Sequence, residues 1–234
     1  GPAQPDQPAD PILVHPDVRR MLLTVRAFTE GARALTAWTS IEIDHHEFSP
    51  DPERAEAGDD FASLMTPVVK AFLTDLGFEA TNTALQVYGG YGYCSDYGVE
   101  QLVRDCRITQ IYEGTNGIQA LDLVGRKLPA HLGRYLRRFF HPVQEFLDAE
   151  AGTAELTEFV EPTAKAFERL QLASAWLAQE SLKNPNQAGA AATDYLHLFG
   201  WVTFAYLWAR SAQVAQGKLA AMVQAAQILR NEYK

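Results

Sequence analysis

From Pro16 onward the apolar residues return every three or four positions, at Val18, Met21, Leu22, Val25, Phe28, Ala32 and Leu35. This is the repeat of one face of an α-helix, and it constrains the chain strongly, because a sheet needs a period of two that is nowhere sustained. Pro16 stands where a first helical turn tolerates proline, and the helix is predicted to run to about His46. The segment SPDPERAEAGDD then breaks the pattern with prolines and charge. A second run, Phe61, Leu64, Met65, Val68, Phe72 and Leu76, predicts a helix continuing to about Tyr88. Glycines in YGGYGYCSDYG end it, and Val99, Leu102, Val103 and Cys106 mark a short third helix. Ile118, Leu121, Val124 and Leu128 start a fourth, which Pro129 is expected to kink and which resumes through Leu132, Leu136 and Phe139. After a loop near Gly152, two long helices are expected, from about Leu156 to Leu182 and from about Ala188 to Asn231. The fold class is all-α.

With 234 residues, 47% of them hydrophobic, the chain can bury a sizeable core. A net charge of -9 supplies no basic patch, so nucleic acid and anionic membranes are excluded as partners. Cys94 and Cys106 form neither a disulfide framework nor a zinc spacing, which suggests a reducing, cytoplasmic setting. No hydrophobic run approaches the ~18 residues of a membrane span. The opening GPAQPDQPADP lacks Met and reads as a linker, a tag scar or a cut inside a larger protein.

Few residues offer chemistry. Asp44, His45, His46 and Glu47 are ligand types in a row, but neighbours on a helix point about 100° apart, so no metal site is expected. The other four histidines, at 15, 131, 141 and 197, lack partners at useful spacing and are assigned to packing or surface. QVYGGYGY can cradle a phosphate through backbone N–H groups, or can simply end a helix with glycine. In QIYEGTNGIQ, Thr115 or Asn116 can cap the next helix and Glu113 can be an ordinary acid near its N-terminus; catalysis is the competing reading.

The ordered combination of Q-x-x-G-G-x-G-Y, R-D-x-R-I and I-Y-E-G-T between Ala84 and Leu128 resembles the C-terminal helical domain of the FAD-dependent acyl-CoA dehydrogenases. The HPDVRRMLL opening and the extra C-terminal helices are most similar to a larger bacterial subgroup acting on long-chain or methylthiopropanoyl thioesters. The resemblance implies a helical bundle of that type lacking its first helix: a lead at 1–15, the bundle at 16–148 and a helical extension at 149–234. It makes Glu113 the base that removes the α-proton of an acyl-CoA while a hydride leaves the β-carbon for FAD, giving a trans-2-enoyl-CoA. A carboxylate in an apolar pocket suits that task, because desolvation raises its pKa.

By the same resemblance Gln86, Gly89, Gly90 and Thr115 contact FAD, and Tyr112 and Gly114 line the acyl pocket. Gly117 departs from the glutamine many family members carry there. Arg104, Asp105 and Arg107 are expected to form an ion-pair set beside the loop. The implied partners are the N-terminal and β-domains of the same enzyme, further copies in a homo-oligomer, and an electron-transfer flavoprotein as acceptor. Two rivals stay open: a non-catalytic helical assembly module derived from the family, and an acyl-CoA oxidase.

Overall fold

A computed structural model describes residues 1–232, with side-chain surroundings as far as residue 224. Its first two long helices, α1 (Pro16–Phe48) and α2 (Pro52–Tyr88), run antiparallel and are joined by only three residues. The turn is sharp because Asp51 caps α2, its carboxylate accepting the Glu53 N–H at 3.0 Å, while Pro52 fills the first helical position. The charged segment expected to break the pattern is therefore the first turns of α2, and only Ser49–Asp51 lie outside a helix. Charge does not oppose a helix. At Gly58 the two backbones meet so closely that a Cβ would stand 2.3 Å from the Glu42 carbonyl oxygen.

Four other helices lean on α2: α3 (Val99–Ile108), α4 (Asn116–Asp122), α5 (Arg134–Glu150) and α7 (Pro185–Glu232). The remaining helix, α6 (Thr157–Lys183), packs along α7. The core is continuous, from Leu35 of α1 through Leu64, Val68 and Phe72 of α2 to Phe199 and Val202 of α7. Phe72 meets Phe204 edge-on at 5.0 Å and Phe139 meets Phe199 at 4.6 Å. Each such fully buried ring contributes about 2–3 kcal/mol. The stretch Pro52–Tyr93 is long and apolar enough to cross a membrane by length and composition, a length the sequence reading did not register. Here its apolar face lies in the shared core, and it carries the buried Asp60.

Asp60 is 1% exposed. Its carboxylate accepts from Arg134 Nη2 at 2.8 Å and Arg138 Nε at 3.1 Å, which fastens α5 to α2. Arg134 Nε also lies 2.7 Å from Asp60 Oδ2, but off the hydrogen-bonding direction.

The fourth predicted helix is not one kinked helix. α4 ends at Asp122, a π-type turn spans Leu123–Lys127, and after Pro129 the chain enters the left-handed region at His131 (φ 49°) and Leu132 (φ 57°). Pro129 removes a donor, and Gly133 at φ 77° completes a reversal that starts α5 afresh.

Removing one partner of a buried ion pair leaves the other charges uncompensated. Asp60→Ala is expected to lower unfolding free energy by about 3 kcal/mol, read from urea denaturation; a loss under about 0.5 kcal/mol, typical of open surface sites, would contradict this role.

Candidate active site

The chain between α3 and α4 winds off the end of α3, where Ile111 N–H donates to the Ile108 carbonyl at 2.9 Å, and then reverses at Glu113 and Gly114. Both residues are left-handed, with φ of 54° and 86°. Gly114 adopts that conformation freely, whereas for Glu113 it costs about 1–2 kcal/mol. Neighbouring bonds hold it there.

Asp75 on α2 supplies two of them. Its Oδ1 accepts from Gln110 Nε2 at 2.7 Å and from Asn116 Nδ2 at 2.6 Å, so one oxygen grips the chain on both sides of Glu113. Its Oδ2 lies 2.8 Å from Nε2 of His197 on α7. Lys70, one turn earlier on α2, donates to the Gly114 carbonyl at 2.8 Å and to Asn116 Oδ1 at 2.6 Å. Asn116 also donates to Thr74 Oγ1, and Gln119 Nε2 to the Glu113 carbonyl.

Neither capping residue behaves as an ordinary cap. Thr115 stands at the N-cap of α4 with no side-chain capping bond, and Asn116 turns its amide to α2 instead. The Glu113 side chain is exposed, as are Tyr112, Gly114 and Thr115, so the described residues do not form the apolar pocket expected around the carboxylate. Large apolar side chains surround it in the open: Ile111, Tyr112, Ile118 and Leu121 are each roughly half exposed.

The glycine turn is a separate place. Gly89 ends α2 at φ 62° and ψ −146°, a conformation reserved for glycine, so the helix-ending reading accounts for it. Gly90 has no such requirement, and nothing lies within 4 Å of where its Cβ would be. Gln86 is exposed beside them. Gly89 comes about fourteen residues after Asp75, roughly 20 Å along the helix. The predicted residues therefore form two clusters. An open groove of about 710 Å³, lined by Phe78, Leu85, Tyr93, Val103 and Ile108, extends between them to Ile111. Gly90, with open space where its Cβ would be, the exposed Gln86 amide and the Thr115 hydroxyl, unbonded among the described residues, are the groups that would meet an extended ligand such as FAD.

The expected ion-pair set does not form. Asp105 accepts from Gln101, Arg107 donates to Gln110 Oε1 at 3.1 Å and covers the Phe78 ring, and among the described residues Arg104 makes no ion pair. Sequence reading missed Lys70, Asp75 and His197. No local signal marks them, since Asp75 and His197 stand 122 positions apart.

The Asp75 hydrogen bond holds the His197 pKa above its ordinary value against the effect of burial, and the charges of Asp75, Glu79 and Asp194 add to it. Burial alone would raise Asp75, yet hydrogen bonds from His197, Gln110 and Asn116, with the His197 charge, keep it below the usual range. Partial burial lowers Lys70, against the pull of Asp75 and Glu113. A raised histidine stabilises the fold fully below its unfolded value near 6.5 and loses that contribution as pH rises through the folded one. A lowered aspartate contributes above its unfolded value near 3.9 and loses the contribution as pH falls through its folded one. The stability of the wild type relative to His197→Gln is thus expected to be greatest between about pH 4 and 6.5. It should fall above that range in urea titrations, and a difference flat from about pH 5 to 9 would contradict the pairing.

Residues 3–128 match the family model for the acyl-CoA dehydrogenase C-terminal domain, and residues 139–232 match one described as acetyl-CoA dehydrogenase C-terminal like. The chain is 38% identical over 215 residues to the 3-methylmercaptopropionyl-CoA dehydrogenase of Ruegeria pomeroyi, covering 92% of this chain and 36% of that protein. It is 34% identical over 218 residues to the broad-specificity linear acyl-CoA dehydrogenase FadE5 of Mycobacterium tuberculosis, covering 88% and 35%. The chain thus spans about a third of the length of these curated relatives. Its fold is similar to that of Caenorhabditis elegans ACDH-11 in complex with C11-CoA, with a TM-score of 0.70 at 21% identity over 82% of this chain and 32% of that one. The helical bundle, the motif-bearing loop and the family match over more than half its length together establish that the chain belongs to the acyl-CoA dehydrogenase family, as its C-terminal helical part.

Proposed function

We propose that this chain is the C-terminal part of a cytoplasmic, homo-oligomeric, FAD-dependent acyl-CoA dehydrogenase in which Glu113 removes the α-proton of the thioester. The observation that carries the reading is Glu113 itself. It is a non-glycine residue held left-handed in a loop pinned on both sides, with a carboxylate that makes no salt bridge among the described residues. Backbone strain maintained by surrounding bonds suits a group that must be placed rather than merely charged.

Glu113 takes the α-proton onto its carboxylate, and its backbone N–H is directed to the thioester carbonyl, where it stabilises the charge that develops as the proton leaves. FAD, when bound, supplies the acceptor for the hydride lost from the β-carbon. Tyr112 and Gly114 border the acyl chain, while Thr115, Gln86, Gly89 and Gly90 hold the cofactor, at two places that serve its two ends or two bound copies. Desolvation of Glu113 comes from the remainder of the enzyme. The exposed apolar residues around the loop, with Tyr88, Tyr91 and Tyr93 at the glycine turn, support this, because such patches mark surfaces that other parts cover. The 3-methylmercaptopropionyl-CoA and linear acyl-CoA dehydrogenases among the relatives favour a straight-chain or thioether acyl group. An electron-transfer flavoprotein is the proposed acceptor.

Full-length protein mixed with an acyl-CoA is expected to lose its oxidised flavin absorbance. Glu113→Gln should bind the same thioester but reduce flavin about a thousandfold more slowly, the scale of a lost general base; undiminished reduction would remove Glu113 from the role. Gly90→Leu tests the cofactor site separately. It should leave the melting temperature unchanged, since its side chain enters open space, while the protein purifies with clearly less flavin. Full flavin occupancy in that variant would contradict the assignment.

A further inference from the structure

Among the described residues, one polar side chain of the C-terminal helices bonds to the site. His197 lies in the first third of α7, its ring edge-on to Phe72 at 5.8 Å and its Nε2 2.8 Å from Asp75 Oδ2. Asp75 has no freedom left once His197 is in place, because its other oxygen already accepts from Gln110 and Asn116. Those two residues bracket Glu113, and the Asn116 N–H donates back to the Gln110 carbonyl at 3.2 Å, closing the loop on itself. The order of contact is therefore His197 to Asp75, Asp75 to both ends of the loop, and the loop to Glu113. Without the His197 donor, Asp75 can rotate about its side-chain bonds, and the shared oxygen no longer holds Gln110 and Asn116 in one register.

We infer that Asp75, oriented by His197 of α7, is a positioning residue for Glu113, so that the C-terminal helical unit sets the geometry of the proposed base. The inference rests on the proposed role of Glu113. It gives α6 and α7 a task beyond packing: α7 carries the outermost member of the clamp, and α6 packs along the helix that presents it. Nearby buried positions of α7 are apolar at Leu196, Phe199 and Val202, while Tyr195 turns its hydroxyl to Ser174 of α6, so His197 is the α7 residue that turns a polar group to the Glu113 loop's clamp.

The test uses the full-length enzyme with three substitutions. His197→Phe keeps an aromatic edge against Phe72 and removes the donor; His197→Gln keeps a donor; Asp75→Asn keeps the shape of the clamp and removes its charge. Hydrogen exchange at the amides of residues 111–116 is expected to quicken at least about tenfold in His197→Phe and in Asp75→Asn, while amides in the middle of α2 keep their protection. With a saturating acyl-CoA, kcat should fall about tenfold or more, the scale of a misplaced catalytic group, with KM changed less than about twofold. His197→Gln should recover most of both. Unchanged exchange in the loop would overturn the clamp, and quickened exchange with unchanged kcat would overturn the positioning role. Exchange needs no substrate, so a wild type that never reduces flavin with any acyl-CoA is recognised separately: it overturns the reading of Glu113, and this inference with it.

Discussion

A single carboxylate oxygen, Asp75 Oδ1, takes hydrogen bonds from Gln110 and Asn116, and everything at the site depends on that sharing. The residues between the two donors include one conformation that an L-residue adopts at a cost, at Glu113. A loop this short cannot hold itself in such a shape. It is held because Asp75 sits on a helix packed on several sides, so the strain is carried by the core rather than by the loop.

The helix α2 serves both of the clusters proposed to act in the chemistry. Its middle offers Lys70 and Asp75 to the Glu113 loop, and its last turn delivers Gln86 and Gly89 about 20 Å away. Close approach to α1 at Gly58, the ion pairs from Asp60 to α5 and the ring of Phe72 against α7 fix that length in the body of the protein. A helix so fully engaged holds the two clusters at a fixed separation. Exposed aromatic and aliphatic residues flank both clusters.

Much of the architecture was legible in the sequence, because a 3.6-residue apolar period needs only local reading. Val18, Met21, Val25, Phe28, Ala32 and Leu35 do face the body of the protein, although Leu22 does not. The start of α2 is hidden because prolines and charge read locally as a break, when Asp51 and Pro52 carry the cap. The break after α4 is hidden because Pro129 alone suggests a kink, whereas left-handed residues at 131–133 reverse the chain. At the site, physics alone left Glu113 undecided between a capped helix start and a base, and the motif order supplied the rest. Asp75, Lys70 and His197 were invisible because their partners lie 35 to 122 positions away. His197 in particular has no partner nearby in the sequence, and only folding brings one to it.

The proposed base, Glu113, acts on the α-proton, and that chemistry can be watched without hydride transfer. An acyl-CoA analogue with a heteroatom in place of its β-carbon cannot be oxidised, but its α-hydrogens can still exchange with solvent. Incubated with the full-length enzyme in deuterated water and followed by NMR, it is predicted to take up deuterium at the α-carbon with wild type and not with Glu113→Gln. Equal uptake by the two proteins would contradict the account.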